Sequence, residues 1–392
     1  MTQQFAERAM STEPDSARNA NLNDLYALLE SQQARKLDVV LPASAMRAQQ
    51  GQIVVQGVEA MITDTGVTRA DGIYRPTAVA DEGIADKLRI PIAYLRRMRT
   101  ENVPLLDSNI NEWLRQEPER RFMLRAFRGE QPPEAAPGEG VARALLSDSY
   151  KRIDNADLLF AALEGVQNSG HPVQITGCDL TNRRMYVRVE SELVAVQARE
   201  LLRGYRSPFN GASGDELPLV SAGFVISNSE VGAGACTITP RAVFQVCTNG
   251  LTVAKDVMRA VHLGGKQDEG VISWSDETQT RTLALITSKV TDAVRTFLSE
   301  DYVRTKVAEI ETAAGKELAE PTKAIEDVTK ALSISAETKD LILSHFVRGG
   351  QMTAGGVMQA VTSAAQTLSD ADQAAALEAH ALPALTVAAQ HG

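Results

Sequence analysis

The chain has 392 residues, 44% of them hydrophobic and only 5% aromatic, with a formal net charge of −10. That length accommodates two or three domains with cores of their own. The negative balance argues against coating of nucleic acid by the whole surface, which needs a positive field.

From the N-terminus, no charged stretch followed by an apolar one suggests a secretory signal, and no run of about 18 apolar residues suggests a membrane span. Three cysteines, Cys178, Cys236 and Cys247, lack CxxC spacing, which predicts neither a disulfide framework nor a cysteine zinc site. Together these features predict a cytoplasmic protein. Residues 1–20 are polar and are expected to be disordered. Residues 22–33 predict a helix capped by Asn21 or Asn23. Short strands are predicted at 38–41 and 53–55. Residues 84–98 predict two short helices broken at Pro91, which cannot continue the first. A third helix, 108–117, carries Trp113 and closes an N-terminal α+β region, 21–118.

Strands follow at 122–127 and 142–147, joined by a proline- and glycine-rich stretch, 129–140, expected to be a mobile surface loop. Asp154 or Asn155 caps a helix reaching Gln167, with Leu158, Leu159, Ala162, Leu163 and Val166 at helical spacing. Strands at 173–178 and 184–189, separated by a turn at 179–182, predict a hairpin. A further strand spans 219–226. Thr239-Pro240 then reads as a helix start, a cap followed by proline at the first helical position. Val243, Phe244, Val246 and Cys247 fall on one face of that helix, which Asn249-Gly250 would end. A hairpin turn at Asn249-Gly250 is the competing reading. These elements make a central β-rich core, 119–275.

From residue 276 the pattern is helical. A long amphipathic stretch, 276–313, places Leu283, Ile286, Val290, Val294, Phe297 and Leu298 on one stripe. Shorter helices follow at 322–332, 336–347, 354–368 and 370–381, with Ser335, Thr353 and Ser369 as caps. Residues 300–392 hold thirteen acidic residues against seven basic ones. The fold class is α+β: a central, mainly antiparallel sheet with packed helices, a small N-terminal α+β region and a helical C-terminal segment, 276–392.

Two arginine groups carry the chemistry of phosphate binding. Lys87, Arg89, Arg96, Arg97 and Arg99 cluster around Tyr94. Arg183, Arg184, Arg188, Arg199, Arg203 and Arg206 are interleaved with Tyr186, Tyr205 and Phe209. Guanidinium groups can track a phosphate backbone while rings stack on bases; the alternative is arginines paired with nearby acids and aromatics in the core. His262 is a candidate general base or metal ligand, with Glu230 as its partner; the alternative is a histidine satisfied by backbone. The Val231-Gly-Ala-Gly-Ala235 turn lacks the lysine and hydroxyl of a phosphate loop and reads better as a tight turn. Cys247 reads as a packing cysteine. No metal or cofactor motif is present.

The segment Asn228-Ser229 with Gly232 and Gly234, then Cys247-Thr248-Asn249-Gly250 and Val261-His262-Leu263-Gly264, resembles the phage and plasmid family called domain of unknown function 932. Tyr150-Lys-Arg-Ile-Asp-Asn155 upstream and the 352–362 segment downstream are similar to further elements of that family. The resemblance covers roughly residues 80–370 and fades over the alanine-rich C-terminal end. It implies a mobile-element protein in a bacterial host, encoded near replication, recombination or antirestriction functions. The expectation is a non-enzymatic DNA-metabolism accessory that binds single-stranded DNA through the two arginine clusters. The acidic C-terminal helices would meet a protein partner or a second copy of the chain. The alternatives are a host-interaction or antirestriction factor, and a hydrolase centred on His262.

Overall fold

A computed structural model describes residues 15–63, 66–129, 138–150, 152–247, 249–253, 256–260 and 276–392. The chain begins with strand β1 (Ala17–Ala20), helix α1 (Leu22–Arg35), β2 (Lys36–Pro42), β3 (Met46–Gln49), β4 (Gln52–Val55), β5 (Met61–Thr63), β6 (Gly66–Thr68) and β7 (Gly72–Pro76). Three helices follow, α2 (Ala78–Leu88), α3 (Ile92–Glu101) and α4 (Val103–Gln116), then β8 (Arg121–Arg128), β9 (Gly138–Ser147) and α5 (Asn155–Ser169). Next come β10 (Gln174–Leu180), β11 (Met185–Gln197), the short α6 (Arg199–Leu202), β12 (Leu219–Asn228), β13 (Cys236–Phe244), β14 (Asn249–Thr252) and β15 (Met258–Ala260). The remainder is helical: α7 (Asp276–Phe297), α8 (Glu300–Ala314), α9 (Pro321–Ala331), α10 (Ala336–Gly349), α11 (Ala354–Thr367), α12 (Ala371–Ala379) and α13 (Ala381–Ala388).

The fold is α+β, built on two sheets. The first has strand order β2-β8-β9-β7-β4-β3, antiparallel except for the β7–β9 pair. Helices α2 to α4 cover it, burying Ile84, Leu88, Leu95, Met98, Leu106 and Ile110 against Leu41, Phe122 and Leu124. The second sheet runs β1-β10-β11-β12-β13-β14, with β15 also on β13, and all its pairs are antiparallel. One face presents Met185, Val187, Phe224, Ile226, Ile238 and Phe244 to a core shared with α5, α7 and α8.

Local signals account for most helix ends. Asn21 caps α1 by accepting from Asp24 N, and Thr77, Asn102, Ser335 and Thr353 cap their helices likewise. Between α2 and α3, Arg89 adopts a left-handed conformation and Pro91 opens the next helix. Helix α4 starts earlier than its apolar pattern predicts, because Asn102 caps it and Pro104 fits its first turn.

Several expectations are corrected. Residues 17–20, read as disordered, form β1 and pair with β10 at the edge of the second sheet. The 276–313 stretch is two helices, since Ser299 caps α8 and interrupts the run. Asp370 caps α12 rather than Ser369, and the 370–381 helix divides at His380. Strands β8 and β9, assigned with the central core, complete the first sheet. The 129–140 loop lies largely outside the described residues.

The largest correction is β13, predicted as a helix from Thr239-Pro240. It is a central strand, with Phe224 opposite Pro240. Proline is tolerated there because β15 pairs only residues 236–238 and β14 only 241–244 on the far side of β13. Pro240 falls in the gap. Its carbonyl accepts from Val253 N on that side, the side to which its missing N–H would have pointed. Asn249-Gly250 is neither a helix end nor the turn, but the start of β14; residues 245–247 begin the turn instead.

Candidate functional site

Strand alternation gives the second sheet a polar face opposite its apolar one. Tyr186, Arg188 and Glu190 of β11, Ser227 of β12, and Thr237, Thr239 and Arg241 of β13 all point away from the core. With Arg18, Arg183, Arg184 and Thr252 they line a cavity of about 1130 Å³. Helix α12 supplies the facing wall through Asp372, Glu378 and a run of alanines. Among the described residues, five arginines (18, 183, 184, 188, 241) and four carboxylates (Glu190, Glu192, Asp372, Glu378) therefore line one space. The volume is at the upper end of, or beyond, small-ligand sites.

Three of these arginines lie over glycines. A β-carbon on Gly234 would come within 1.5 Å of the Arg184 guanidinium, one on Gly250 within 1.7 Å of Arg241, and one on Gly177 within 2.8 Å of Arg188. Only hydrogen at those positions leaves room for the guanidinium planes against the sheet and loop. Gly234 also sits at φ +150°, a conformation open to glycine. Arg184 Nε donates to Ala233 O at 3.1 Å, which ties the arginine wall to the 231–235 turn.

Most of the guanidinium groups are braced by acids. Arg18 and Arg188 share the buried Asp179; against the desolvation cost of burial, Arg188 and Arg18 hold that carboxyl below its ordinary range. Arg241 Nε meets Glu378 Oε1 at 2.9 Å, and Tyr186 donates its hydroxyl to Asp372 Oδ1 at 2.8 Å. Burial, with Asp372 beside it, pushes the Tyr186 phenol up. Burial likewise raises the Glu190 carboxyl, opposed by Arg241. Arg18 Nε and Thr252 Oγ1 are buried without a partner among the described residues.

The predicted arginines divide. Arg183, Arg184 and Arg188 line the cavity. Arg96 of the other cluster does not line the cavity, although Arg96 and Arg183 both pair with Glu82 Oε1. Arg97 pairs with Glu101 on the outside of α3. Arg199 donates to Gln197, Arg203 pairs with Glu200, and Arg206 is exposed; none of the three lines the cavity. Tyr205, expected as a stacking platform, is only 2% exposed and packs in the core. Arg18 and Arg241 were missed: one lies in the segment read as disordered, the other in the strand read as a helix.

Asn228, one of the residues that carry the family resemblance, and Glu230, the candidate partner of His262, serve a different purpose. Asn228 Nδ2 donates to Ile153 O at 3.0 Å and to Asn155 Oδ1 at 2.9 Å. Glu230 Oε1 accepts from Asn155 N at the start of α5 at 2.6 Å, and Oε2 pairs with Arg143 at 2.7 Å. Fully buried Arg125 of β8 donates Nη1 to Glu230 O at 2.6 Å. It also forks onto Asp38 at 2.8 and 2.9 Å and reaches Asp154 at 2.7 Å, while Lys36 pairs with Asp154. Although burial opposes its charge, Asp38 and Asp154 raise the Arg125 guanidinium pKa. This network joins the two sheets. Both carboxylate oxygens of Glu230 are committed to it, so Glu230 is a bracing group rather than a free base. His262 lies outside the described residues. Gly232 has φ +79° in the turn, Cys247 is buried, and Asn249 pairs with Phe244 in the β13–β14 ladder. Among the described residues no cluster of metal-ligating side chains occurs, and no helix is long and apolar enough to cross a membrane.

No protein-family model, curated protein or solved structure matches the chain.

Proposed function

We propose that this chain is a non-enzymatic DNA-metabolism accessory that binds single-stranded DNA along the arginine-lined wall of the second sheet. The observation that carries the reading is the convergence of Arg18, Arg183, Arg184, Arg188 and Arg241 on one polar face beside the 231–235 turn. Guanidinium groups engage phosphate oxygens through two or more donors at once, and Ser227, Thr237 and Thr239 add hydroxyls. Tyr186 is the one aromatic among the described lining residues, so binding rests on the backbone and tolerates any base sequence. The phage or plasmid setting rests on the family resemblance alone.

The test is fluorescence anisotropy of a labelled oligothymidylate of about 20 nucleotides at low salt, with micromolar protein. Binding by the native chain, weakened by Arg184→Glu and unaffected by Arg203→Glu, is expected. Equal weakening by both variants would move the contact off this wall, and unchanged anisotropy with native protein would end the proposal.

A further inference from the structure

The wall that would take phosphates is covered by the chain's own acidic helix. Asp372 and Glu378 reach from α12 to Tyr186 and Arg241, while Arg18 Nη2 donates to Leu368 O in the preceding linker. Their spacing of six residues separates them by about 9 Å along the helix axis. Among the described residues, α12 supplies two of the four carboxylates that line the cavity; without it Glu190 and Glu192 remain in the lining, while Asp179 still braces Arg18 and Arg188 and Glu82 still braces Arg183. The helix is only nine residues long, and Leu377 is its one large buried apolar side chain, the others being alanines. Leu377 and the flanking helices α11 and α13 anchor it to the core, and the two polar contacts are the part of its hold that an anionic ligand would replace. Below it, α11 is buried along most of its length and stays with the core.

We infer that α12 is a displaceable acidic cover, an internal competitor whose Glu378 occupies Arg241 and whose Asp372 holds Tyr186, contacts on the arginine wall that a phosphate backbone displaces on binding. The inference rests on the single-stranded DNA reading and adds its regulation. Binding and release of α12 are then coupled: the cover lowers affinity for weak or short anions, and a strand long enough to engage several arginines at once lifts it.

Two measurements on the full chain test this. The double substitution Asp372→Asn with Glu378→Gln is expected to tighten oligothymidylate binding about tenfold at low salt, since two anionic competitors are lost. Hydrogen exchange of native protein is expected to accelerate across residues 371–379 when the oligonucleotide is added, while α11 stays protected. Binding by native protein with unchanged α12 exchange and no gain in the double variant overturns the cover and leaves the DNA reading intact. Absence of binding in both native and double-variant protein overturns both. Binding by the double variant alone supports both, with a cover that is closed in the resting chain.

Discussion

Replacing Arg125 by methionine removes the central cation of the buried joint between the two sheets while roughly conserving side-chain volume. Arg125 is fully buried and holds Asp38 through two hydrogen bonds, Asp154 through one and the Glu230 carbonyl through another. Breaking such a pair from one side strands the opposite charges, at a cost of about 3–5 kcal/mol. Lys36 remains on Asp154, and Arg152 lies 3.5 Å from Asp38, so the lower end of that range, about 3 kcal/mol, is expected at neutral pH. The pH dependence has a definite sign. Against burial, Arg125 and Lys36 hold the Asp154 carboxyl well below its ordinary range. A depressed folded-state pKa contributes stability above the unfolded-state value, and that stability is lost as pH falls through the folded-state value. In Arg125→Met this contribution is reduced, so the deficit is largest near neutrality and narrows below about pH 4. Urea denaturation of native and variant protein at several pH values measures it. A loss under about 1 kcal/mol at pH 7, or a deficit that widens in acid, would refute the reasoning.

Other consequences follow from single contacts. A β-carbon at Gly165 would lie 2.7 Å from Thr287 O and from Val290 Cβ, so Gly165→Ala should wedge α5 from α7 and cost about 1–3 kcal/mol, seen as a lower thermal midpoint. All three cysteines are buried, and burial pushes the Cys178 thiol up to about 11 and Cys236 up to about 12. A thiol reagent at pH 8 should therefore react slowly with native protein and rapidly after denaturation; a fast native phase would contradict this. Glu190, raised by burial, gains its proton before exposed glutamates as pH falls. Oligonucleotide affinity should rise as pH falls towards the carboxylate range, and Glu190→Gln should flatten that rise.

What the sequence reveals depends on how local the signal is. Asn21, Ser335 and Thr353 satisfy helix N–H groups within three residues of themselves, so a cap of this kind leaves a short-range mark; Asn102 leaves the same mark, which reading by the apolar pattern alone misses. The 173–189 hairpin is equally local. Strand β13 is not: Thr239-Pro240 carries a genuine helix-start signal, overridden because the β14 and β15 ladders both stop short of Pro240, so its missing N–H costs no ladder bond. No short window contains that gap. The site follows the same rule. Arg183, Arg184 and Arg188 were legible because one hairpin carries them. Arg18 and Arg241 join the wall only through β1–β10 and β12–β13 pairing, over a hundred residues apart in the first case. Arg199 and Arg203, adjacent in sequence to the wall residues, diverge because β11 carries the chain to α6 before they appear. Asn228, Tyr150 and Asn155 stood out through the family resemblance and Glu230 as a candidate partner of His262; they converge, with Tyr150 donating to Ser229 O at 3.4 Å, and what they build is the joint between sheets.

The most direct test of the central claim is the salt dependence of single-strand binding. If about four of the wall arginines neutralise phosphates, log K should fall against log salt with a slope near −3, and Arg184→Gln should reduce that slope by about 0.7 while Arg203→Gln leaves it unchanged. A slope near zero, or one equally reduced by both substitutions, would contradict the arginine wall as the binding surface.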